Sequence, residues 1–171
     1  MDHPNAIRDP AFFLGGSAIF TVDNGAAGGK HRRYTYYIEK REFSTGEIFF
    51  FVRYLTGPDN SNWQSYSYLG MLDRETMTVE PTTKSKLSAA GPVFRAVNWA
   101  IQTVVQGDLP PAKALIIHEG RCCMCGRRLT TTVSITAGIG PECNAKLRRS
   151  RAKRKKARKA RGSTAVEQRL F

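Results

Sequence analysis

The chain has 171 residues, and its 27 Lys and Arg against 14 Asp and Glu give a formal net charge of +13 at pH 7. Its hydrophobic content of 41% is typical of globular proteins and excludes a wholly disordered chain. The charge is concentrated, because residues 146–161 hold 11 basic residues and no acidic one, which leaves 16 basic against 14 acidic residues elsewhere. The charge therefore belongs to one segment and not to the body of the protein.

Neither a membrane span nor a secretory signal is expected. No run approaches the ~18 apolar residues that a spanning helix needs, and the apolar stretch DPAFFLGGSAIF lacks the pattern of a cleaved signal. All four cysteines lie between positions 122 and 143. This clustering favours a metal site in a reducing compartment over a disulfide framework, so we expect a cytoplasmic protein.

The N-terminal two thirds of the chain predict a sheet. The first 15 residues predict a short helix with Ile7, Phe12, Phe13 and Leu14 on its apolar face. Runs rich in β-branched and aromatic residues, separated by turn residues, then predict five strands. They cover residues 17–24, 32–42, 47–55, 63–72 and 76–81. The sequence STGE between the second and third runs predicts a tight hairpin, and the economical arrangement is an antiparallel meander of four or five strands.

One amphipathic helix is predicted after the strands. In GPVFRAVNWAIQTVVQGD the apolar residues recur with a helical period, with Pro92 at the start and Gly107 at the end. The predicted apolar stripe consists of Val93, Val97, Ala100, Ile101, Val104 and Val105. Such a helix should cover one face of the sheet, which makes the body an α+β fold. A short strand at residues 115–117 then leads to the cysteines.

The aromatic residues of the strands allow two interpretations. They are Tyr34, Tyr36, Phe49, Phe51, Trp63, Tyr66 and Tyr68. They could form a platform on which unpaired bases stack, as aromatic sheet faces do in several single-strand binders. Aromatic residues also favour strands and fill cores, and this second interpretation is preferred.

The sequence CCMCG predicts a metal-binding knuckle. Cys122 and Cys125 have the spacing at which two thiolates grip one ion, and Gly126 permits the tight turn that follows. Cys123 lies inside the loop, so its side chain should point away from the metal and remain a spare thiol. The alternative pair of Cys123 and Cys125 is a poorer chelate. A redox-active pair is disfavoured, because no thioredoxin-like βαβ pattern surrounds it.

The remaining ligands are sought on either side of the knuckle. The following residues predict a short β-hairpin and then a helix, with Gly140 as N-cap and Pro141 at the first helical position. Cys143 falls in the first turn of this helix, and Lys146, three residues on, is a poor ligand at neutral pH. The prediction is a treble-clef-like module with tetrahedral zinc held by His118, Cys122, Cys125 and Cys143. Four protein ligands leave no open position, so the zinc would be structural.

The cysteine segment resembles a known family. The residues GRCCMCGRRLT and SITAGIGPEC are similar to a zinc-containing domain of unknown function in bacteriophage and bacterial proteins, with the pattern GRCxxCGRxLT and G-x-GPxC. YLTGPDN and SYSYLG resemble longer phage members, which extends the likeness over residues 12–147. The resemblance implies a phage or prophage origin, and hence a bacterial host cell. The family pattern has an unspecified residue at the position of Cys123, which supports Cys122 and Cys125 as the ligands. The resemblance implies no established activity.

The C-terminal segment is predicted to bind nucleic acid. We divide the chain into an N-terminal domain (1–112), a zinc module (113–147) and a basic tail (148–171) that is helical or partly disordered. Basic side chains four residues apart repel one another, so a helix in the free tail should fray. Binding to a polyanion would remove this repulsion. The expected contacts are Lys146, Arg148, Arg149, Arg151, Lys153, Arg154, Lys155, Lys156, Arg158, Lys159 and Arg161. They would hold DNA or RNA without sequence specificity. An acidic protein partner and a merely solubilising tail are the alternatives.

The last residues, TAVEQRLF, resemble the short peptides by which bacterial replication proteins engage the sliding clamp. Gln168, Leu170 and Phe171 carry the likeness, although Gln168 stands one position later than in the usual motif.

Enzymatic function is not expected. The three histidines, His3, His31 and His118, are scattered, and no phosphate loop, nucleophile elbow or paired-carboxylate motif appears. The first hypothesis is a phage-type accessory protein that binds nucleic acid through its tail and contains a structural zinc site. The second is a protein–protein inhibitor or adaptor of a host complex, for example a defence complex, with the sheet or the zinc surface as the contact.

Overall fold

The fold is α+β, built on one six-stranded antiparallel sheet, in a computed structural model that describes residues 3–26, 31–111, 113–150 and 152. The order across the sheet is β5-β4-β3-β2-β1-β6. The strands are β1 (Ser17–Asp23), β2 (Arg33–Glu42), β3 (Ile48–Leu55), β4 (Tyr66–Leu72), β5 (Val79–Glu80) and β6 (Leu115–His118). The predicted antiparallel meander of four or five strands is confirmed in β1 to β5, and the short strand predicted at residues 115–117 is β6, which pairs with β1.

The hairpin between β2 and β3 forms where STGE predicts it. The N–H of Phe43 donates to the carbonyl of Glu47 at 2.9 Å, and Gly46 has φ of 82°. Glycine adopts this left-handed conformation without the steric cost that other residues bear. The turn fixes the register, in which Ile38 pairs with Val52 and both side chains are fully buried.

Helix α1 (Pro92–Gln106) covers one face of the sheet. It begins at Pro92 and ends at Gly107, whose φ is 74°, as the sequence predicts. The stripe is confirmed at Val97, Ala100, Ile101 and Val104, which are buried. Two positions differ from the prediction. Val105 is 39% exposed, and Phe94 is buried although it is not part of the predicted stripe.

The aromatic residues divide between the two faces of the sheet. Tyr36 lies under α1, and its hydroxyl donates to the carbonyl of Val93 at 2.8 Å, so core packing is right for this residue. Alternation places a second set on the opposite face, which α1 does not cover and which we call the open face. It comprises Tyr37, Glu39, Arg41, Phe49, Phe51, Arg53, Tyr68 and Met71, all half-buried or exposed. Trp63 lies outside both sets, 66% exposed on a 3-10 turn.

The N-terminal segment is not the predicted helix. Among the described residues 3–15, the helical part is a single 3-10 turn at Pro10–Phe12, capped by Asp9, which accepts from the N–H of Ala11 at 2.8 Å. Pro10 has no N–H to donate, so a helix cannot run through it. The segment instead follows β6: Ala6 bridges Ile117. Of the predicted apolar residues, Ile7, Phe12 and Phe13 are buried, and Leu14 is partly buried against the core.

No described helix combines the length and the apolarity that crossing a membrane requires.

Candidate metal centre

The predicted knuckle is formed directly after β6. The N–H of Gly126 donates to the carbonyl of Cys122 at 2.9 Å, and the N–H of Cys122 donates to the carbonyl of Arg127 at 2.8 Å. Gly126 has φ of 73°, a conformation that the turn requires and that favours glycine. The chain thereby reverses within a few residues and brings Cys125 beside Cys122.

The segment after the knuckle contains a short helix and not the predicted β-hairpin. Helix α2 (Thr132–Ala137) starts at Thr131, whose hydroxyl accepts from the N–H of Ser134 at 3.3 Å. It ends at Gly138, with φ of 65°. The β-branched residues of TTTVSIT favour a strand by propensity, but a threonine cap and a left-handed glycine define a helical turn here.

The helix that carries Cys143 begins where the sequence predicts it. Residues 141–150 are helical, and we call this helix α3. The N–H of Asn144 donates to the carbonyl of Gly140 at 2.9 Å, which makes Gly140 the N-cap and Pro141 the first helical residue. Cys143 therefore lies in the first turn of α3, facing the knuckle.

Three cysteines meet at this point. The Sγ atoms of Cys122, Cys125 and Cys143 all lie within 4.8 Å of one another. A zinc ion with Zn–S bonds of ~2.3 Å holds its tetrahedral sulfurs roughly 3.8 Å apart. The cluster is therefore compact enough for all three sulfurs to bind one metal ion, and thiolate ligands select thiophilic ions such as Zn²⁺.

The electrostatics of the cluster favour a bound cation. Burial alone would raise the pKa of Cys122, but backbone N–H groups, including that of Gly140 at 3.4 Å from Sγ, lower it. For Cys143, burial and the neighbouring thiols of Cys125 and Cys122 raise the pKa to about 12. Three thiolates at this distance repel one another, so the fully ionised cluster requires a cation to compensate its charge.

Cys123 lies outside the cluster and faces the body of the protein. Its Sγ and carbonyl oxygen lie against Gly15, and the carbonyl accepts from the N–H of Ser17 at 2.6 Å. The side chain is 3% exposed. Burial and the charge of Cys122 raise the pKa of Cys123 to about 12. Of the two neighbours, one therefore faces the cluster and the other fastens the knuckle to the N-terminal segment.

His118 is not brought into the cluster, in contrast to the predicted four-ligand set. Its Nδ1 accepts from the N–H of Gly120 at 3.1 Å, so the proton is on Nε2, which donates to the carbonyl of Ile135 at 2.7 Å. Both ring nitrogens are thus engaged by backbone groups, and the ring is 1% exposed. His118 joins β6 to α2, a long-range contact that no feature of the sequence indicates.

The donor set fits a thiophilic divalent ion with three ligands from the described residues. The fourth tetrahedral position would be filled by a group from outside the cluster or by solvent. Lys146, one turn after Cys143, is exposed.

The predicted nucleic-acid contacts are partly within the described residues. Lys146, Arg148 and Arg149 are exposed on α3. The other predicted contacts, Arg151, Lys153, Arg154, Lys155, Lys156, Arg158, Lys159 and Arg161, lie outside the described residues, as do Gln168, Leu170 and Phe171.

Comparison with known proteins identifies the cysteine segment alone. Residues 117–148 match a family of unknown function (DUF6011). This match runs from β6 through the cluster into α3. No curated protein matches the chain. No solved structure matches it either.

Proposed function

We propose that the protein is a zinc-stabilised, phage-type accessory protein that binds DNA or RNA through its basic C-terminal segment and has no enzymatic role. Cys122, Cys125 and Cys143 would hold Zn²⁺, which fixes the first turn of α3 against the knuckle. The metal would then serve a structural role because it ties α3 to the knuckle, although the described residues supply only three of its ligands. The basic residues beyond it would contact phosphates without reading bases.

The observation that carries this proposal is the orientation of α3. Cys143 and Leu147, one turn apart, are partly buried on the side of the helix that faces the core. Lys146, Arg148 and Arg149 lie on the exposed sides. The helix thus starts at the cysteine cluster, and its basic side chains point to solvent. The eight basic residues between 151 and 161 follow it directly in the sequence.

A binding measurement on the full chain tests the proposal. In the octa-glutamine variant, the eight Lys and Arg residues between 151 and 161 are replaced by Gln. We expect its affinity for a fluorescent DNA duplex at 50 mM salt to fall by at least ~100-fold, because non-specific binding depends on phosphate neutralisation. The matched control is Lys84→Gln with Lys86→Gln, two exposed cations far along the chain from α3, which should bind as the intact protein does.

Two outcomes would contradict the proposal. One is unchanged affinity of the octa-glutamine variant for duplex DNA, single-stranded DNA and RNA. The other is the absence of binding to all three by the intact chain at low salt.

A protein partner is the second candidate function, and the open face favours it. Phe49, Phe51, Tyr68 and Met71 are half-exposed there, and the ring of Phe51 carries the guanidinium of Arg41 at 5.4 Å from its centroid. Aromatic residues with arginine are enriched at protein interfaces. On this proposal the protein would inhibit or adapt a host complex through the open face.

Affinity purification from nuclease-treated host lysate separates the two candidates. A protein partner on the open face should be retained by the intact chain and lost with Phe49→Ser and Tyr68→Ser together. Trp63→Ser is the control, because Trp63 is more exposed than these residues but lies off the open face. Retention of the partner by the double variant would exclude the open face as its contact.

A further inference from the structure

A cleft lies where the end of the β1–β2 pair meets α1, and no cysteine lines it. Its volume is about 340 Å³, within the range of ~300 to 1,000 Å³ that is usual for small-molecule sites. The residues that line it are Val22, Asn24, Arg32, Tyr34, Pro92, Arg95, Ala96 and Trp99. Val22 and Tyr34 are paired neighbours of β1 and β2, so the sheet forms one wall and α1 the other.

Each wall combines an arginine with an aromatic ring. Arg95 and Trp99 are four residues apart on α1, which places them one turn apart on the same side of the helix. Arg32 comes just before β2 and Tyr34 lies within it, and both line the cleft. The two arginines therefore flank a space between two aromatic side chains.

The charges in the cleft are of one sign. The residues that line it include no carboxylate. Arg32 and Arg95 are exposed, and neither forms an ion pair with a residue that the structure describes. Most of the accessible lining is apolar, so a flat apolar ring could cover it while an anionic group pairs with the guanidinium groups of Arg32 and Arg95 at its rim. The indole of Trp99 is 36% exposed, so its ring remains accessible.

We propose that this cleft binds a nucleotide unit. The base lies against the rings of Trp99 and Tyr34, and the phosphate binds Arg32 and Arg95. Base–aromatic stacking tolerates different bases, and arginine matches the geometry of a phosphate. The site goes beyond the proposed function, because the basic segment contacts phosphates alone. The unit could be a free nucleotide or one residue of a single strand, and the same chemistry serves both.

The two tryptophans of the chain make the test direct. In full-length Trp63→Phe, Trp99 is the only tryptophan and reports on the cleft by its fluorescence. We expect adenosine monophosphate to change this fluorescence in a saturable way, and inorganic phosphate to bind at least ~10-fold more weakly for lack of a stacked base. Repeating the titration with an octamer of deoxyadenosine, in the octa-glutamine background, distinguishes a strand from a free nucleotide.

Variants of the arginines provide the second readout. Arg95→Gln and Arg32→Gln should each weaken binding about 10- to 100-fold, because each removes a charge-assisted hydrogen bond to the phosphate. Both side chains are exposed, so the fold should be retained, which circular dichroism verifies. Lys84→Gln is the matched control and should bind normally.

The proposal is overturned if neither the mononucleotide nor the octamer changes the fluorescence of Trp99. It is also overturned if phosphate binds as tightly as the mononucleotide, or if Arg95→Gln and Arg32→Gln bind like the control. Because the octamer is tested without the basic segment, failure of the cleft and failure of the proposed function are separate results.

Discussion

Gly15 allows the N-terminal segment to touch the knuckle. A Cβ atom built at this position would lie 2.5 Å from the carbonyl oxygen and 2.8 Å from the Sγ of Cys123. The carbonyl oxygen belongs to the backbone and already accepts from Ser17, so it cannot move away freely. A hydrogen is the only side chain that fits between these two segments.

Gly15→Ala should therefore destabilise the protein. Overpacking of a closed contact costs ~1 to 3 kcal/mol, and here the contact joins the N-terminal segment to the metal module. Denaturant unfolding of the metal-loaded protein measures the change. Unfolding at the same denaturant concentration as the intact chain would show that the two segments separate without cost.

His118 should make the stability depend on pH. Burial lowers the pKa of its imidazole, and the hydrogen bond to Ile135 opposes that effect only in part. In the unfolded chain a histidine titrates near pH ~6.5. As the pH falls below that value, the unfolded state takes up a proton that the folded state does not, so the free energy of unfolding decreases until the folded-state pKa is reached.

The comparison with His118→Gln isolates this effect. Both proteins lose metal from the same thiolates as the pH falls, so the difference between their stabilities between pH 7 and pH 5 reports on His118. We expect the intact chain to be more stable than the variant at pH 7, and this difference in the free energy of unfolding to shrink as the pH falls to 5. A constant difference would mean that His118 takes up its proton equally in both states.

At the scale of elements, the short segment from the knuckle to α3 brings the ligands together. Cys122, Cys125 and Cys143 lie within 4.8 Å of one another, while Cys123 and His118 point to other partners. Replacing Cys122, Cys125 or Cys143 with Ser should abolish stoichiometric metal binding. Cys123→Ser and His118→Gln should keep the metal although they lower stability, because both side chains are buried.

Metal analysis of the purified folded proteins measures these outcomes. In cobalt-substituted protein, the thiolate-to-metal absorption should correspond to three sulfur ligands and should be the same in His118→Gln. If the folded His118→Gln variant lost its metal, His118 would be a metal ligand after all, which would contradict this assignment.

Local patterns predicted most of the elements. Alternation and turn residues identified β1 to β5, and helical periodicity with Pro92 and Gly107 identified α1. The knuckle and the first turn of α3 were predicted because glycine and proline have local conformational requirements. The predicted hairpin at TTTVSIT was wrong, because strand propensity there competes with the cap at Thr131.

Contacts between distant segments could not be predicted. The partner of His118 is Ile135, and the sequence offered the imidazole as a ligand only because no other candidate was nearby. The division of the aromatic residues between two faces depends on which face α1 covers. The cleft at Trp99 joins the end of the β1–β2 pair to α1, over sixty residues away.

At the scale of the whole molecule, sheet and metal module share one hydrophobic core. Cys122, Cys123, Leu129 and Ile139 belong to the same buried cluster as the core residues under α1. The N-terminal segment contributes to both sides through Ile7 and Phe12. Metal binding at the cysteine cluster should therefore stabilise the body as well as α3, which the basic segment follows in the sequence.

The salt dependence of binding tests the central claim, that the basic segment holds nucleic acid, most directly. If ~6 to 10 phosphates are neutralised, the affinity of the intact chain for duplex DNA should fall ~10³- to 10⁵-fold between 50 and 200 mM salt. In the octa-glutamine variant the slope of log affinity against log salt should flatten by about 0.9 for each phosphate that is no longer neutralised. An equal slope in both proteins would contradict the claim.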